Sequence, residues 1–359
     1  MSRPQAGAAA GPAFAARLIA WQATHGRHDL PWQPPLGMRR DAYRIWLAEI
    51  MLQQTQVGTV TAYYARFLER FPDIATLAAA PIDAVLELWA GLGYYARARN
   101  LHRCAQTIVA AHGGRFPVAP EAIAELPGIG RSTAAAISAF TFGTRAAILD
   151  GNVKRVLARC FGIAGVTSTA QTEKEMWALA ESLLPATEIE AYTQGLMDLG
   201  ATLCTRGKPQ CAACPMNEIC VARRDGRQAE LPTAKPRKAV PRREASMLLL
   251  CDGAQVLLER RPPSGIWGGL LTLPEVEEPG AEALAQQHGC HLLHTQALAP
   301  LLHVFTHFRL NIRPFLCKVE VSHRLTAAPG WEWLALDDIE GAALPTPVKR
   351  LLRGLAARF

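Results

Sequence analysis

Four cysteines fall close together in the pattern Cys204-x6-Cys211-x2-Cys214-x5-Cys220. Nothing else constrains the folding of the chain as tightly, because a loop carrying four thiols must close around whatever they hold. In a chain with no mark of export, clustered thiols point to metal and not to disulfides. Structural zinc usually takes two short Cys pairs with a longer gap between them. Here there is one close pair, Cys211 and Cys214. That spacing favours a [4Fe–4S] cluster, in which each iron takes one protein sulfur. The other five cysteines, Cys104, Cys160, Cys251, Cys290 and Cys317, are scattered. Arg206 and Lys208 lie among the four, and Arg223 just after them. A loop rimmed with such cations suits phosphate; a redox role is the competing reading.

Around this loop the chain divides. Its 359 residues are too many for one ordinary domain, and half are apolar, enough for a sizeable core. Residues 1–16 are rich in Ala and Gly and lack the apolar region of a secretory signal, so a disordered head is expected. No apolar run is long enough to span a membrane, and an intracellular compartment is the default. Residues 17–222 read as helix after helix, with Ala, Leu and Ile at three- and four-residue spacing. Residues 223–243 carry Pro232, Pro236 and Pro241 among basic residues, the composition of a semi-rigid linker. Residues 244–359 change character. Ser246–Cys251 and Gln255–Glu259 flank the turn Asp252-Gly253 as a hairpin. Glu320-Val321 and Trp331–Leu336 look like strands and Thr346–Arg358 like a closing helix, which makes this part α+β.

The net charge is +7, and its distribution matters more than its size. Gly91–Cys160 holds nine basic residues against three acidic, and Arg223–Arg243 eight against two. Two such blocks suit a polyanion such as DNA, although solvated helix faces explain charge equally well.

Four further motifs carry chemistry. Leu126-Pro127-Gly128-Ile129-Gly130 separates helical patterns at Pro120–Glu125 and Ser132–Phe140, a candidate helix–hairpin–helix over residues 120–140. Glycines permit a tight turn close to a ligand, and the N–H groups opening the next helix suit a DNA phosphate. An ordinary Gly-rich turn fits the same residues. If Ala42–Val57 is helical, Glu49, Gln53 and Gln56 share a face. A carboxyl in apolar surroundings has a raised pKa and can act as an acid; a solvent-facing polar stripe is the plainer alternative. In Leu149-Asp150-Gly151-Asn152-Val153-Lys154-Arg155-Val156, Asp150 reads as a helix N-cap. A helix N-terminus holds an Asp ionised, as a developing oxocarbenium cation requires. Glu49 as acid and Asp150 as anion match the two-carboxylate logic of glycosidic cleavage. Finally, Tyr94, Tyr95, Arg97 and Arg99 within Gly91–Asn100 suit base stacking and phosphate contact, or simple packing by the tyrosines.

With Leu30-Pro-Trp-Gln33 and Met51-Leu-Gln-Gln-Thr-Gln-Val57, these motifs resemble the MutY-type adenine DNA glycosylases of the helix–hairpin–helix superfamily, from about Leu30 to the C-terminus. The resemblance implies a multidomain fold. A mostly-α helix–hairpin–helix glycosylase with a [4Fe–4S] loop at 204–220 would be followed by an α+β Nudix-like domain. It implies a monomeric base-excision enzyme, cytoplasmic and nucleoid-associated in a bacterium. Its partner would be double-stranded DNA with adenine opposite 8-oxoguanine or guanine. Glu49 would protonate adenine N7 and later activate water. Asp150 would stabilise the sugar cation, directly or through a covalent adduct, with Asn152 assisting. Trp32, Gln33, Leu52 and Gln194 would line the adenine pocket. Gln54 and Tyr94 would wedge into the duplex around 8-oxoguanine. Gly128 and Gly130 would meet the DNA backbone, and Lys154 a phosphate or, as a minor route, the sugar itself. Endonuclease III-like relatives carry a strand-cleaving Lys where this chain has Ser132, so the enzyme would be monofunctional.

Arg260–Leu270 and Phe305-Thr306-His307 resemble the family's Nudix-like domain, in which Thr306 stands for the usual Ser and keeps the hydroxyl for 8-oxoguanine. A pyrophosphatase needs carboxylates that hold Mg²⁺. Aligned from Gly269, the chain keeps Glu275 but has Ala283-Leu284 and Gln287-His288 at the later acidic places. The domain is therefore expected to read the lesion. A bifunctional pyrimidine glycosylase/lyase, a Nudix pyrophosphatase with a DNA-binding appendage and a non-enzymatic iron–sulfur module are the other readings.

Overall fold

The computed structural model describes residues 6–33, 40–235, 239–276, 280–321 and 329–357. Residues 1–5 of the head, Pro236 of the linker and Arg358 of the closing helix lie outside them. The chain forms two compact units, Met1–Ala78 with Arg103–Arg237, and Ala79–His102 with Lys238–Phe359. By contact, residues 79–102 group with the C-terminal part.

In chain order the helices are α1 (Ala6–His25), α2 (Ala42–Leu52), α3 (Val57–Arg70), α4 (Ile74–Ala79), α5 (Ile82–Trp89) and α6 (Ala96–His112). They continue as α7 (Pro120–Ala124), α8 (Arg131–Phe142), α9 (Gly151–Phe161), α10 (Ala170–Ser182) and α11 (Ile189–Asp198). A π-turn (Leu199–Leu203), a 3₁₀ turn (Cys211–Ala213) and α12 (Val221–Arg224) follow.

In the first unit the core gathers Phe14, Trp46, Tyr64, Phe67, Phe71 and Tyr192, all fully buried. α1 packs on α10 and α11, α2 on α3 and α8, and α9 on α11 and α12. The expected disordered head is corrected from Ala6 onward, where α1 begins, and Phe14 and Leu18 are fully buried. Burying each such side chain is worth about 1.5–3 kcal/mol, which favours a docked helix over a free tail. A second correction concerns α2. Asp41 caps it by accepting from the Tyr43 amide at 2.9 Å. It stops at Leu52, because Gln54 adopts a left-handed φ of 59° and Gln56 caps α3. Glu49, Gln53 and Gln56 therefore do not lie on one helix. The hairpin between α7 and α8 turns at Gly128, whose φ of 79° favours glycine, while Gly130 has an ordinary φ of −92°. The start of the linker also departs from expectation. Leu231 is buried, its carbonyl accepts from Arg159 Nε at 2.8 Å, and Thr233 bridges to Val166. Residues up to 233 are part of the first unit and not a spacer.

Among the described residues the second unit is built on seven strands: β1 (Arg242–Cys251), β2 (Gln255–Arg260), β3 (Leu271–Thr272), β4 (Cys290–Ala297), β5 (Leu301–Val304), β6 (Arg309–Val321) and β7 (Trp331–Ala335). The sheet order is β3-β2-β1-β6-β4, with β5 also on β6 and β7 on β2. The β1–β2 hairpin forms as expected, but β1 also pairs in parallel with β6 along its length. Glu320-Val321 is only the end of that long β6. Leu248, Leu250, Leu257, Cys290, Cys317 and Val319 form the core beneath α13 (Ala281–Gln287). α14 (Thr346–Ala356) buries Val348, Leu352 and Leu355. Asp83 at the start of α5 accepts from Arg260 at 2.9 Å, and Arg99 donates to the Gly268 carbonyl at 2.7 Å, which ties residues 79–102 to this sheet.

Candidate active site

Glu49 and Asp150 arrive from separate helices of the first unit, α2 and the N-cap of α9. Their charges interact directly. Burial, and then the Asp150 carboxylate, push the Glu49 pKa up to about 8. Glu49 therefore holds its proton at neutral pH, as a general acid must. Asp150 Oδ1 accepts from the Val153 amide at 2.8 Å. One expectation is corrected here. The helix N-terminus does not by itself keep Asp150 in the usual aspartate range: burial raises its pKa overall. The amides of Val153 and Asn152 and the cations Arg155 and Lys154 oppose that rise.

Behind Asp150 a chain of bonds runs to the cysteine loop. Arg155 Nη2 donates to Asn152 Oδ1 and to the Gly200 carbonyl, each at 2.8 Å. Its Nε donates to the Cys204 carbonyl at 2.7 Å. Gly200 lies so close that an added Cβ would stand 2.7 Å from Asn152 Cβ. A π-turn at a functional site is a common association, and this one delivers Cys204 from the end of α11.

Cys204, Cys211, Cys214 and Cys220 all line one cavity. Among the described residues no three His, Cys, Asp or Glu side chains converge as a single-ion site. Four thiols spread around a shared space suit a multi-iron group, because each sulfur there binds a different iron. Arg159 is buried and donates to Cys204 Sγ at 3.5 Å and to the Thr205 carbonyl at 2.7 Å. Arg223 is bonded to the Cys211 carbonyl at 3.1 Å. Sequence reasoning missed Cys160. Its thiol lines the same cavity and hydrogen-bonds to Cys220. Nothing in its spacing marks it, because it sits on α9, remote in sequence from the loop.

Of the expected adenine-pocket residues, two are buried and two half-buried. Trp32 is buried with its ring edge-on to Tyr64 at 5.6 Å, Gln194 is buried on α11, and Leu52 and Gln33 are half-buried. The Gln33 amide closes its own turn, donating to the Arg27 carbonyl at 3.0 Å and accepting from the Leu30 amide at 3.3 Å. Gln54 is exposed at the turn after α2, in the left-handed region that L-residues rarely occupy. Ser132 Oγ accepts from the Leu149 amide at 2.9 Å, so its hydroxyl is engaged in the fold. Lys154 is held by Glu173 at 2.6 Å. Gly130 opens α8, with nothing within 4 Å of an added Cβ.

In the second unit Tyr94 is exposed, with a left-handed φ of 50°. Arg97 does not face out toward phosphate. It is buried and donates to the Gly93 carbonyl at 3.2 Å, shaping the loop that presents Tyr94. Phe305, Thr306 and His307 form the turn between β5 and β6. The Phe305 ring stacks on Phe308 at 4.4 Å, leaving Thr306 and His307 exposed at the tip. Thr306 Oγ1 lies 2.8 Å from His307 Nδ1. Glu275, the acid kept from the Nudix pattern, is ion-paired with Arg261.

Comparison with known proteins finds two family models along the chain, and the first spans residues 79–102 together with the helices on either side of them. Residues 47–182 match the HhH-GPD superfamily base excision DNA repair protein model, and residues 245–354 the NUDIX domain model. The chain is 34% identical to the adenine DNA glycosylase of Buchnera aphidicola subsp. Acyrthosiphon pisum, over 94% of this chain and 96% of that protein. It is 33% identical to human adenine DNA glycosylase, over 95% of this chain and 73% of that protein. A thermostable thymine-DNA glycosylase structure superposes with a TM-score of 0.53 at 31% identity, covering 60% of this chain and 96% of that one.

Proposed function

Because this chain belongs to the adenine DNA glycosylase family, we propose that it excises adenine opposite 8-oxoguanine, and more slowly opposite guanine, and leaves the strand intact. The observation that carries this reading is Glu49, protonated at neutral pH beside Asp150. The adenine must first leave the stack. Glu49 then gives its proton to N7. The C1′–N9 bond breaks, its electron pair passes to the base, and neutral adenine departs. Positive charge grows on the sugar, where a facing Asp150 carboxylate lowers its energy. Glu49, now ionised, takes a proton from water as the water oxygen joins C1′, and both side chains are restored.

A monofunctional outcome is supported by Ser132, which has no amine to attack C1′, and by Lys154, which is engaged with Glu173. The four thiols that line one cavity would hold a [4Fe–4S] cluster. When bound, its four iron–sulfur bonds crosslink the loop that carries the Cys204 carbonyl to Arg155. The exposed Thr306 tip supports a lesion-reading role for the C-terminal sheet, and the Arg261–Glu275 pair and missing acids argue against pyrophosphate chemistry. The protein acts as a monomer on duplex DNA in this reading. The test is base release from duplexes containing A:8-oxoguanine, A:G or thymine glycol. Free adenine with alkali-dependent cleavage is expected; strand cleavage without alkali at the rate of base loss would count against it.

A further inference from the structure

We propose that Asp198 sets the hydrogen-bonding polarity of the adenine pocket by fixing the amide of Gln194. The inference rests on the adenine-excision reading above and on the expectation that Gln194 lines the adenine pocket. Asp198 ends α11 and is fully buried. Its Oδ2 accepts from the Arg27 amide at 2.9 Å. Its Oδ1 accepts from Arg27 Nε at 2.6 Å and from Gln194 Nε2 at 2.8 Å. A carboxylate paired with arginine can only accept. The Gln194 amide must therefore turn its N–H groups toward Asp198, and its oxygen is the end left to read a ligand. The usual ambiguity of an amide's orientation is removed by its neighbour.

The consequence is chemical. Adenine carries an amino donor at position 6, which a carbonyl oxygen welcomes. Hypoxanthine carries an oxygen there, which the same carbonyl repels. The carboxylate also acts on a second segment. The carbonyl of Arg27, the residue it grips, accepts from Gln33 Nε2, and Gln33 closes the turn that holds Trp32. One buried anion thus seats both the Trp32–Gln33 turn and the Gln194 amide. It is a positioning residue. An isolated buried carboxylate is costly, and these three bonds offset that cost.

The test measures single-turnover base release by the full-length protein from duplexes that place adenine, purine or hypoxanthine opposite 8-oxoguanine. Purine has no group at position 6 and calibrates every other contact. In Asp198→Asn the Gln194 amide is free to turn, so adenine release should fall about tenfold relative to purine release, and the preference for adenine over hypoxanthine should narrow by a like factor. Asp198→Glu, which keeps the carboxylate, should retain most of that preference. Equal losses on all three bases, or unchanged ratios, would mean that Asp198 only secures α11, and would overturn the inference. Gln194→Leu, which leaves the Asp198–Arg27 pair in place, needs no Asp198 variant to fold; an unchanged adenine-to-purine ratio there overturns it as well. Failure of the unmodified protein to release adenine from any duplex would instead sink the functional reading itself.

Discussion

The Ser132 hydroxyl oxygen accepts a 2.9 Å hydrogen bond from the Leu149 amide, the residue directly before Asp150. The first turn of α8 thereby secures the entry to α9 and its capping carboxylate. A lysine ammonium has no acceptor and could not make this bond. Ser132→Ala should leave the Leu149 N–H unpaired and cost about 1 kcal/mol of stability. Thermal unfolding checks this. Gels of reacted duplex, run without alkali, should show no strand cleavage by either protein.

Glu49 and Asp150 should bracket the pH profile of excision. Glu49 must be protonated to give its proton to N7, so the single-turnover rate should fall as pH rises through about 8. Asp150 must be ionised, and its raised pKa should move the acid limb above the usual aspartate range. Glu49→Gln should abolish excision while duplex binding survives, and Asp150→Asn should be severely impaired. A rate that stays flat from pH 7 to pH 9 would remove Glu49 from its role.

The same carboxyl gives a stability signature. Its pKa is raised from 4.5 to about 8, so the folded chain holds a proton there that the unfolded chain has lost. That stabilisation is fully present below about pH 4.5 and is lost as pH rises through about 8. Glu49→Gln has no such titration. Its melting temperature should gain on that of the unmodified protein steadily across this window. A constant difference between the two proteins would show that Glu49 ionises normally.

The cysteine loop should carry iron. Purified protein should be brown, with broad absorbance at about 400 nm and about four irons per chain. Replacing Cys211 or Cys214 should impair folding or DNA binding more than the chemistry itself. Metal analysis finding one zinc and no iron would refute the assignment.

Thr306 tests lesion reading in the intact chain, which is preferable to deletion because residues 79–102 group with the C-terminal sheet. Thr306→Val keeps the shape and removes the hydroxyl. The preference for A:8-oxoguanine over A:G should shrink by about 3- to 10-fold, the value of one hydrogen bond, while excision from A:G persists. Mg²⁺-dependent hydrolysis of 8-oxo-dGTP by the unmodified protein would contradict the reading.

Local physics was legible in the sequence. The spacing from Cys204 to Cys220 marked a shared cavity, because nearby thiols in one loop have few other arrangements. Asp150 before Gly151 marked an N-cap, because a short acceptor satisfies free amides wherever a helix starts there. The β1–β2 hairpin followed from the short apolar run Ser246–Cys251 and the segment Gln255–Glu259 on either side of Asp252-Gly253. Other features were decided only by tertiary packing. The Glu49 pKa rises to about 8 because packing desolvates it and because α2 and α9 bring it beside Asp150; neither helix encodes that alone. Phe14 lies in a stretch whose composition suggested disorder, yet it is fully buried with its ring against Phe161 of α9, while α1 as a whole packs on α10 and α11. Arg97 turned inward to loop carbonyls, and Cys160 joined a cavity built by residues far along the chain. The parallel pairing of β1 with β6 likewise joins segments with no local relation. Propensity, caps and turns act within a few residues, whereas burial and charge coupling depend on which surfaces meet, and only the folded chain determines that.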